Sequence, residues 1–293
     1  MTWDDLDREL TDAPGTVSAY VARLGQPPVY ARQAHATHYA ASTMKVAVLA
    51  ALYRAAEAGM VDLDQAVLVH NEFDSALPGA PRFRMARDHD QDDEVWDRIG
   101  GHATLRWLAH RMIIRSCNLA TNLVISHVGL AAVNGIWAVI GARHSTTGRG
   151  IEDAAAREAG IDNRVSAADL ATLLSAIALG AQRRSAPAGP PDPIAAPETC
   201  AAMLDVLFAQ EHREDLAAGL PADTRIAHKN GWVTGVRHGA GVVYPDDAPP
   251  FVVTVCTTTP LAVGEGGGGS DPACRLIARV AAHAWAARHL LGG

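Results

Sequence analysis

The fold of this chain is organised around one short stretch, Tyr39-Ala40-Ala41-Ser42-Thr43-Met44-Lys45-Val46-Ala47-Val48-Leu49. Its apolar, alanine-rich second half predicts a buried helix, and Ser42 occupies the N-cap or first-turn position of that helix. Residues three apart share one helix face, so we expect the Lys45 amine to lie within reach of the Ser42 hydroxyl. The same helix end offers free backbone N–H groups that suit an oxyanion.

Ser42 and Lys45 together have the chemistry of an activated nucleophile. A free serine hydroxyl is a poor nucleophile and needs an adjacent base. A lysine in an apolar helix can be that base, because desolvation lowers the pKa of its amine. The alternative interpretation is structural: Ser42 only caps the helix, and Lys45 extends its amine to solvent.

The composition indicates a folded globular protein. Of 293 residues, 48% are hydrophobic and 19% are charged, which excludes a disordered chain. The net charge of -7 argues against a nucleic-acid or anionic-membrane partner. We find no apolar run that is long enough to span a bilayer. We therefore expect a small-molecule substrate, while the oligomeric state stays open.

The N-terminus and the cysteines favour a cytoplasmic protein. The start of the chain, Met1–Asp7, is acidic and lacks the basic and apolar regions of a secretory signal. The four cysteines are scattered, without a C-x-x-C pair, at Cys117, Cys200, Cys256 and Cys274. We expect reduced thiols, with neither a disulfide framework nor a metal site.

The order of predicted elements indicates an α+β fold. Strand patterns lie near both ends of the chain, at 16–22, 28–32, 225–235, 240–244 and 251–257. Helical periodicity occurs at 4–10, 42–58, 104–114, 118–125, 165–174, 198–210 and 271–291. Because terminal strands can meet in one antiparallel sheet, we expect a sheet flanked by terminal helices, with an all-helical lobe inserted.

This arrangement gives a prediction of domains. Residues 1–38 and 220–293 would form a discontinuous α/β lobe. Residues 39–219 would form the helical lobe that carries Ser42 and Ser116. The active site is expected in the cleft between the two lobes.

A break in the helical pattern occurs at Ser116-Cys117-Asn118. Ser116 and Asn118 lie two residues apart, so in a turn both side chains can project into one cavity. The alternative is that Ser116 caps the following helix and Asn118 bonds to nearby backbone.

Three polar regions are predicted to be connections. The region 71–97 carries an acidic run at Asp88, Asp90, Asp92, Asp93 and Glu94. This run lacks the ordered spacing of a calcium loop, so we expect a solvated loop. The proline-rich segment 185–197 predicts a linker. The glycine-rich segment 264–270 predicts a flexible connection, because no Lys-Ser/Thr pair follows it as in a phosphate loop.

Three short motifs occur in a fixed order. Ser42-Thr43-Met44-Lys45 fits S-x-x-K, Ser116-Cys117-Asn118 fits S-D-N with its middle residue changed, and Lys229-Asn230-Gly231 fits K-T-G with its middle residue changed. The intervals are 74 and 113 residues. In these motifs, their order and their structural context, the sequence resembles the class A β-lactamases and penicillin-binding proteins. The resemblance covers nearly the whole chain.

The resemblance implies a role for each motif residue. Ser42 would be the nucleophile that becomes acylated, and Lys45 its general base or proton relay. Ser116 would pass a proton to the leaving group, and Asn118 would hold the substrate amide. Lys229 would line the cleft, tune Ser116 electrostatically and bind a substrate carboxylate, with Asn230 and Gly231 as further substrate-binding residues. The backbone N–H groups of Ser42 and Trp232 would form the oxyanion hole. The acyl-serine mechanism implied needs no cofactor.

The sequence departs from this family at three positions. Class A enzymes activate the deacylating water with a loop glutamate that is followed four residues on by an asparagine. Glu152 is the candidate here, but Ala156 stands at the asparagine position; alternatively, Glu152 is an exposed carboxylate at a helix start. Asn230 replaces a hydroxyl residue beside Lys229. Cys117 replaces an acidic residue, and we expect it to be an inert packed thiol.

We therefore predict a serine hydrolase that cleaves a β-lactam, or a related amide or ester, through an acyl-Ser42 intermediate. One alternative is an esterase, a D-amino-acid peptidase or a biosynthetic acyl enzyme on the same fold. A second alternative is a non-catalytic binder of β-lactams or peptidoglycan fragments. A histidine-based mechanism is disfavoured, because no H-E-x-x-H or G-x-S-x-G pattern is present.

Overall fold

The computed structural model describes residues 2–183, 194–264 and 270–292. The helices of these ranges are α1 (Trp3–Asp12), α2 (Lys45–Glu57), α3 (Asp93–Trp96), α4 (Leu105–Ile114), α5 (Asn118–Val139), α6 (Ala154–Glu158), α7 (Ala167–Gln182), α8 (Pro197–Phe208) and α9 (Pro272–Ala286). The strands are β1 (Thr16–Arg23), β2 (Tyr30–Arg32), β3 (His38–Tyr39), β4 (Ala66–Leu68), β5 (His102–Thr104), β6 (Thr146–Thr147), β7 (Asn163–Val165), β8 (Arg225–Val233), β9 (Val236–Tyr244) and β10 (Phe251–Thr258).

The main sheet has five strands in the order β2-β1-β10-β9-β8, and its neighbours are antiparallel. Strands from the two ends of the chain therefore pair side by side. β10 lies at the centre, where its run of Val and Thr residues is buried on both faces. β8 forms one edge of the sheet. The antiparallel α+β fold expected from the sequence is confirmed.

Each face of the sheet packs against its own apolar core. Val17, Val253 and Val255 face a cluster that includes Leu6 of α1 and Ile277 of α9. The alternate side chains of the same strands, such as Ala22 and Val252, face a larger cluster with helices α2, α4, α5, α7 and α8. This period of two is the expected consequence of strand geometry.

The chain between β2 and β8 is mainly helical, with α2 through α8 in order. It also contains five short strands, which form the small sheets β3-β7-β6 and β4-β5. The domain boundaries at residues 38 and 220 stay a prediction.

Helix α5 is long and apolar enough, by length and composition alone, to cross a membrane, although we found no such run in the sequence. Its side chains from Leu119 to Ile125 are buried. Gly129 has φ 79°, so the run is two helices joined at a kink. The core helix of a soluble protein passes the same test of composition.

Two predicted connections fall largely outside the described residues. Of the linker at 185–197, residues 185–193 are not among them, and Pro197 begins α8. Of the glycine-rich segment 264–270, residues 265–269 are not among them. The four cysteines are buried and form no disulfide among the described residues.

Candidate active site

One cavity of about 490 Å³ brings together residues from distant parts of the chain. Its wall is formed by Tyr39, Ser42, His89, Gln91, Ser116, Asn118, Arg149, Ile151, Glu152, Asp153, Ala154, Arg157, Trp232 and Val233. Five of the residues predicted for the site therefore share one space: Ser42, Ser116, Asn118, Glu152 and Trp232. The others, Lys45, Lys229 and Asn230, are fully buried, and Gly231 packs against the backbone of Ser42.

Ser42 is not the N-cap of α2, one of the two positions that the sequence suggested for it, but lies in the turn that leads directly into this helix. It is the second residue of a 3₁₀ turn, Ala41–Met44, and α2 begins only at Lys45. Ala41 has φ 45°, a conformation that is costly for a residue with a Cβ. The strand β8 reaches this turn at Gly231, where an added Cβ would lie 2.7 Å from the Ser42 backbone nitrogen. Glycine at this position therefore permits the close approach of strand and turn.

Lys45 is completely buried and points its amine towards the start of α5. Its Nζ donates to the Ser116 carbonyl oxygen at 2.5 Å and to Asn118 Oδ1 at 2.8 Å. Burial lowers the pKa of Lys45 to about 8, and the charge of Asp90 opposes this shift. At that pKa, roughly one molecule in ten carries a neutral Lys45 amine at pH 7.

The Ser116 hydroxyl lies between two lysines. Its Oγ accepts from Lys45 Nζ at 3.3 Å and from Lys229 Nζ at 3.1 Å. Burial, and then the charge of Lys45, holds the pKa of Lys229 well below its usual value. Two buried ammonium groups disfavour each other, so a proton near Ser116 is easily given up. The arrangement suits a hydroxyl that relays protons.

Asn118 presents its amide to the cavity from the first position of α5. Its Nδ2 donates to the His89 carbonyl oxygen at 3.2 Å, and its Oδ1 accepts from Lys45. The interpretation that Asn118 only bonds to nearby backbone does not describe these long-range contacts.

Asn230 is not part of the cavity wall, and the substrate-binding role predicted for it stays a prediction. The side chain is fully buried. Its Oδ1 accepts from Lys229 Nζ at 3.3 Å, and its Nδ2 donates to the His212 carbonyl oxygen at 3.5 Å. Side chains alternate along a strand, so Asn230 and Lys229 leave β8 on opposite faces. Asn230 therefore helps to hold the Lys229 amine through this hydrogen bond.

The Trp232 ring lines the cavity and has polar neighbours. It meets the His212 ring edge-on at 5.0 Å, and the Arg237 guanidinium lies 5.2 Å from its centroid. An aromatic ring in contact with a cation is held in place by its quadrupole. The role of the Trp232 backbone N–H in an oxyanion hole stays a prediction.

Glu152 lies on the opposite side of the cavity, in a loop between β6 and α6. Its Oε2 accepts from the Ala86 backbone N–H at 2.9 Å, and its Oε1 lies 3.7 Å from His89 Nδ1. Burial raises the pKa of Glu152, which the Ala86 hydrogen bond opposes. The carboxyl is half-buried and so is not the fully exposed helix-start residue of the alternative interpretation.

The loop of Glu152 is fastened at both ends. Asn122 of α5 pairs with the backbone of Ile151, accepting from its N–H at 2.8 Å and donating to its carbonyl oxygen at 2.9 Å. The buried Arg149 side chain bonds to Asp162 at 2.9 Å. Ala156, at the position where class A enzymes have an asparagine, is buried in α6 and offers no polar group to the cavity.

The acidic run at 88–94 is not uniformly solvated, although its composition predicted a solvated loop. Asp88, Asp93 and Glu94 are exposed. Asp92, however, is buried and pairs with Arg111 at 2.5 Å. Asp90 is partly buried and accepts from the backbone N–H groups of Asn118 and Leu119, each at 2.8 Å. Asp90 was not predicted from the sequence as a site residue. The neutral Cys117 at the acidic position of the S-D-N motif was the available signal that a carboxylate from elsewhere in the chain is needed there.

Backbone strain is concentrated around this cavity. Four non-glycine residues of the described ranges have positive φ, and Ala41 (45°), Ser116 (58°) and Glu152 (64°) all belong to the site or adjoin it. The fourth is Gln33 (41°). Strained residues persist where the surroundings over-determine them, which is typical of functional sites.

Histidines and metals offer no competing site in the parts of the chain that the structure describes. No group of three His, Cys, Asp or Glu residues there could hold a metal ion. Ser18 Oγ does lie 2.8 Å from His38 Nε2. Both residues are buried, and burial lowers the pKa of His38 to about 3. A serine that no substrate can reach is not a nucleophile in catalysis.

The fold and this cleft define a serine hydrolase with the architecture of β-lactamases and penicillin-binding proteins. A model of the beta-lactamase enzyme family matches residues 2–287. The chain therefore belongs to that family. None of the curated proteins is a significant match in sequence.

Solved structures show the same fold at low sequence identity. The chain is similar to PBP-A, with a TM-score of 0.76, 22% identity and coverage of 97% of this chain and 94% of that one. It is similar to the β-lactamase from Sphaerobacter thermophilus DSM 20745, with a TM-score of 0.73, 25% identity and coverage of 97% of this chain and 98% of that one. It is also similar to a single-residue mutant of the class A β-lactamase of the last common ancestor of Gram-negative bacteria. Here the TM-score is 0.77, the identity is 22%, and the match covers 98% of this chain and 99% of that one.

Proposed function

We propose that this protein opens β-lactam rings through an acyl-enzyme on Ser42 and releases the product by slow hydrolysis. The observation that carries the proposal is the Ser116 hydroxyl, held between two buried lysines in the same cavity as Ser42. This arrangement provides a nucleophile, a base and a route for a proton to the leaving nitrogen.

In the acylation step, neutral Lys45 accepts the proton of the Ser42 hydroxyl as its oxygen attacks the lactam carbonyl. A C–O bond forms, and the tetrahedral intermediate then collapses as the ring C–N bond breaks. The lactam nitrogen takes a proton from the Ser116 hydroxyl, which is replenished from Lys45. The lowered pKa of Lys45, about 8, supports its role as base near neutral pH.

The cavity wall carries both acidic residues, Glu152 and Asp153, and cations, and we assign the recognition of an anionic substrate to the cations. Lys229 lies behind Ser116, and Arg149 and Arg157 line the wall beside Glu152. β-Lactam antibiotics carry a carboxylate, which such cations attract. Among the similar structures is a mutant of PBP-A in an acyl-enzyme complex with penicillin G.

Deacylation is the slow step in this proposal. Glu152 is the carboxylate in the cavity with a raised pKa, and we assign it the activation of water. One oxygen of Glu152 is engaged by Ala86. Ala156 supplies no amide to share the orientation of that water. A base with incomplete support is expected to act less efficiently.

The test is intact-protein mass spectrometry during incubation with nitrocefin, followed in parallel by absorbance, with Ser42→Ala as the control. We expect an adduct of the wild-type protein that builds within the first turnovers and decays slowly, with colour that continues at the rate of decay. The Ser42→Ala variant should show neither signal.

The other outcomes discriminate the alternatives. A permanent adduct without turnover would indicate a penicillin-binding protein that does not deacylate. Binding without an adduct would indicate a non-catalytic binder. Turnover of p-nitrophenyl esters but not of nitrocefin would overturn the assignment of β-lactams and favour an esterase.

A further inference from the structure

The carboxylate at the start of α5 comes from a distant loop. Asp90 Oδ1 accepts from the Asn118 backbone N–H at 2.8 Å, and its Oδ2 accepts from that of Leu119 at 2.8 Å. These are two of the helix N–H groups that have no partner within the helix. An anion at this end is also favoured by the helix dipole.

Asp90 is itself firmly held. Its Oδ2 accepts from Nε1 of the buried Trp96 at 2.8 Å, and its Oδ1 accepts from the Gln91 backbone N–H at 2.7 Å. A carboxylate with four N–H donors has little freedom to rotate. Its contacts to α5 are therefore part of a rigid arrangement and not an occasional surface bond.

Cys117 explains why the carboxylate has to come from elsewhere. It is the N-cap residue of α5, and its Sγ accepts from the Ala120 N–H at 3.3 Å, a weak cap. Burial, and then the charge of Asp90, raises the pKa of Cys117. The protonated thiol donates to Asp90 Oδ2 at 3.4 Å. The position that is acidic in the S-D-N motif thus carries a neutral side chain in direct contact with an acidic one.

The loop of Asp90 also touches the catalytic side chains. The preceding residue, His89, accepts from Asn118 Nδ2 through its carbonyl oxygen at 3.2 Å. Ser116, strained at φ 58°, lies two residues before Asn118. Fixing the backbone of Asn118 therefore fixes the direction of both Ser116 and Asn118.

We propose that Asp90 is a positioning residue of this active site and supplies, from another loop, the carboxylate that Cys117 lacks. It holds the start of α5 so that Ser116 and Asn118 face Lys45. It also places a negative charge near the buried Lys45 amine. This inference rests on the proposed use of Ser42 as nucleophile, but not on β-lactams as substrates.

The titratable groups that face Lys45 come from three elements. Asp90 approaches from the loop before α3, Cys117 from the start of α5 and Lys229 from β8. Asp90 favours the protonated amine, and Lys229 disfavours it. Removal of the Asp90 charge should therefore move the rising limb of the pH profile for Ser42 reactivity towards lower pH, even as the rate at the plateau falls.

The test measures labelling of Ser42 by a fluorescent fluorophosphonate between pH 6 and 9. The variants are Asp90→Asn, Asp90→Ala, Cys117→Asp and the double variant Asp90→Ala/Cys117→Asp. The exposed Asp88, in the same loop, gives the matched control Asp88→Asn. Hydrogen exchange at the amides of Asn118 and Leu119 gives a reading that does not depend on activity.

We expect Asp90→Asn and Asp90→Ala to slow labelling by about tenfold or more, and to speed exchange at the two amides by a similar factor. Cys117→Asp alone should also be impaired, because two carboxylates would then meet. In the Asp90→Ala background the same substitution should instead restore labelling by about tenfold, a change of sign that simple damage to the fold does not produce. Asp88→Asn should stay within about twofold of wild type.

The inference is overturned if labelling and exchange in Asp90→Asn stay within about twofold of wild type, or if the folded double variant reacts no faster than Asp90→Ala. The proposed function fails separately. A wild-type protein that labels with fluorophosphonate and responds to Asp90 substitution, but does not react with nitrocefin, would keep the positioning role and exclude β-lactams. If wild-type Ser42 does not label at all, its use as nucleophile and the positioning role of Asp90 fail together, and the exchange rates then report only whether Asp90 holds the start of α5.

Discussion

Lys45 is the residue whose ionisation controls the proposed acylation. Its amine is desolvated and has a pKa of about 8. The basic form is the deprotonated one, so the acylation rate should rise from pH 6 to pH 8 and level off above that. The burst rate of nitrocefin, measured by stopped flow across this pH range, tests whether the acylation rate rises with pH.

Substitution of Lys45 separates base catalysis from charge. Lys45→Met should lower the acylation rate by about 10²- to 10⁴-fold, the usual contribution of a positioned general base. Lys45→Arg keeps the positive charge but does not become neutral near pH 7, so we expect a similar loss. A nearly normal rate in Lys45→Arg would show that charge alone is needed.

Glu152 should affect deacylation more than acylation. Glu152→Gln keeps the shape and an acceptor for the Ala86 N–H but removes the base. We expect turnover of nitrocefin to fall by about 10²-fold, with the adduct on Ser42 persisting. The measurement is adduct lifetime by mass spectrometry. An unchanged adduct lifetime would show that a residue other than Glu152 activates the deacylating water.

At the scale of elements, the approach of β8 to the Ser42 turn depends on one glycine. In Gly231→Ala the new Cβ would lie 2.7 Å from the Ser42 nitrogen, so strand and turn have to separate. We expect the acylation rate to fall by about tenfold or more, because small displacements of reacting groups are costly. The comparison is Gly135→Ala in α5, where nothing lies within 4 Å. That variant should keep its rate and gain about 0.5–1 kcal/mol in free energy of unfolding.

Helix α5 fastens strand β6 and the loop after it in the same way, and only the loop carries Glu152. Asn122 pairs with the backbone of Ile151, and Asn134 pairs with that of Thr147, donating at 2.7 Å and accepting at 2.9 Å. Asn122→Ala and Asn134→Ala should each lower the free energy of unfolding by about 1–3 kcal/mol. Only Asn122→Ala should also slow deacylation. Equal deacylation rates in the two variants would contradict the role given to the Glu152 loop.

At the scale of the whole molecule, buried histidines make stability depend on pH. Burial lowers the pKa of His38 and His228 to about 3 and of His238 to about 4. These groups stay neutral in the folded state, while the unfolded chain binds protons near pH 6.5. Stability is therefore full above pH 6.5 and declines as the pH falls towards 4. Buried Asp215, whose pKa is raised to about 6, and half-buried Glu152, whose pKa is also raised, act in the opposite direction.

His228 allows this linkage to be tested. Its two ring nitrogens have no hydrogen-bond partner among the described residues, so an apolar side chain loses no bond there. His228→Leu should reduce the loss of stability between pH 7.5 and pH 5 by about 1–2 kcal/mol in urea unfolding. His102→Leu, at an exposed position, is the control. A pH dependence identical to wild type would refute the contribution of His228.

The sequence by itself determined the order of the elements, because that order depends on local periodicity, whereas the contact between Ser42 and Lys45 stays a prediction. The β-branched residues of β1 and β10 predict strands, and their places near the two ends of the chain predict one shared sheet. A helical spacing of three residues predicts where Lys45 lies relative to Ser42. The motifs at Ser116 and Lys229 were recognised because their spacing along the chain is part of the pattern.

Only the tertiary structure decided how these groups are supported. Asp90 lies 28 residues before Asn118, and no local pattern links an acidic loop residue to the end of a later helix. The burial of Asn230 and its hydrogen bond to Lys229 depend on how β8 packs against the rest of the chain. The lowered pKa of Lys45 depends on burial by the surrounding helices and the sheet. Contacts between distant segments, and the desolvation they cause, arise only when the chain has closed around them.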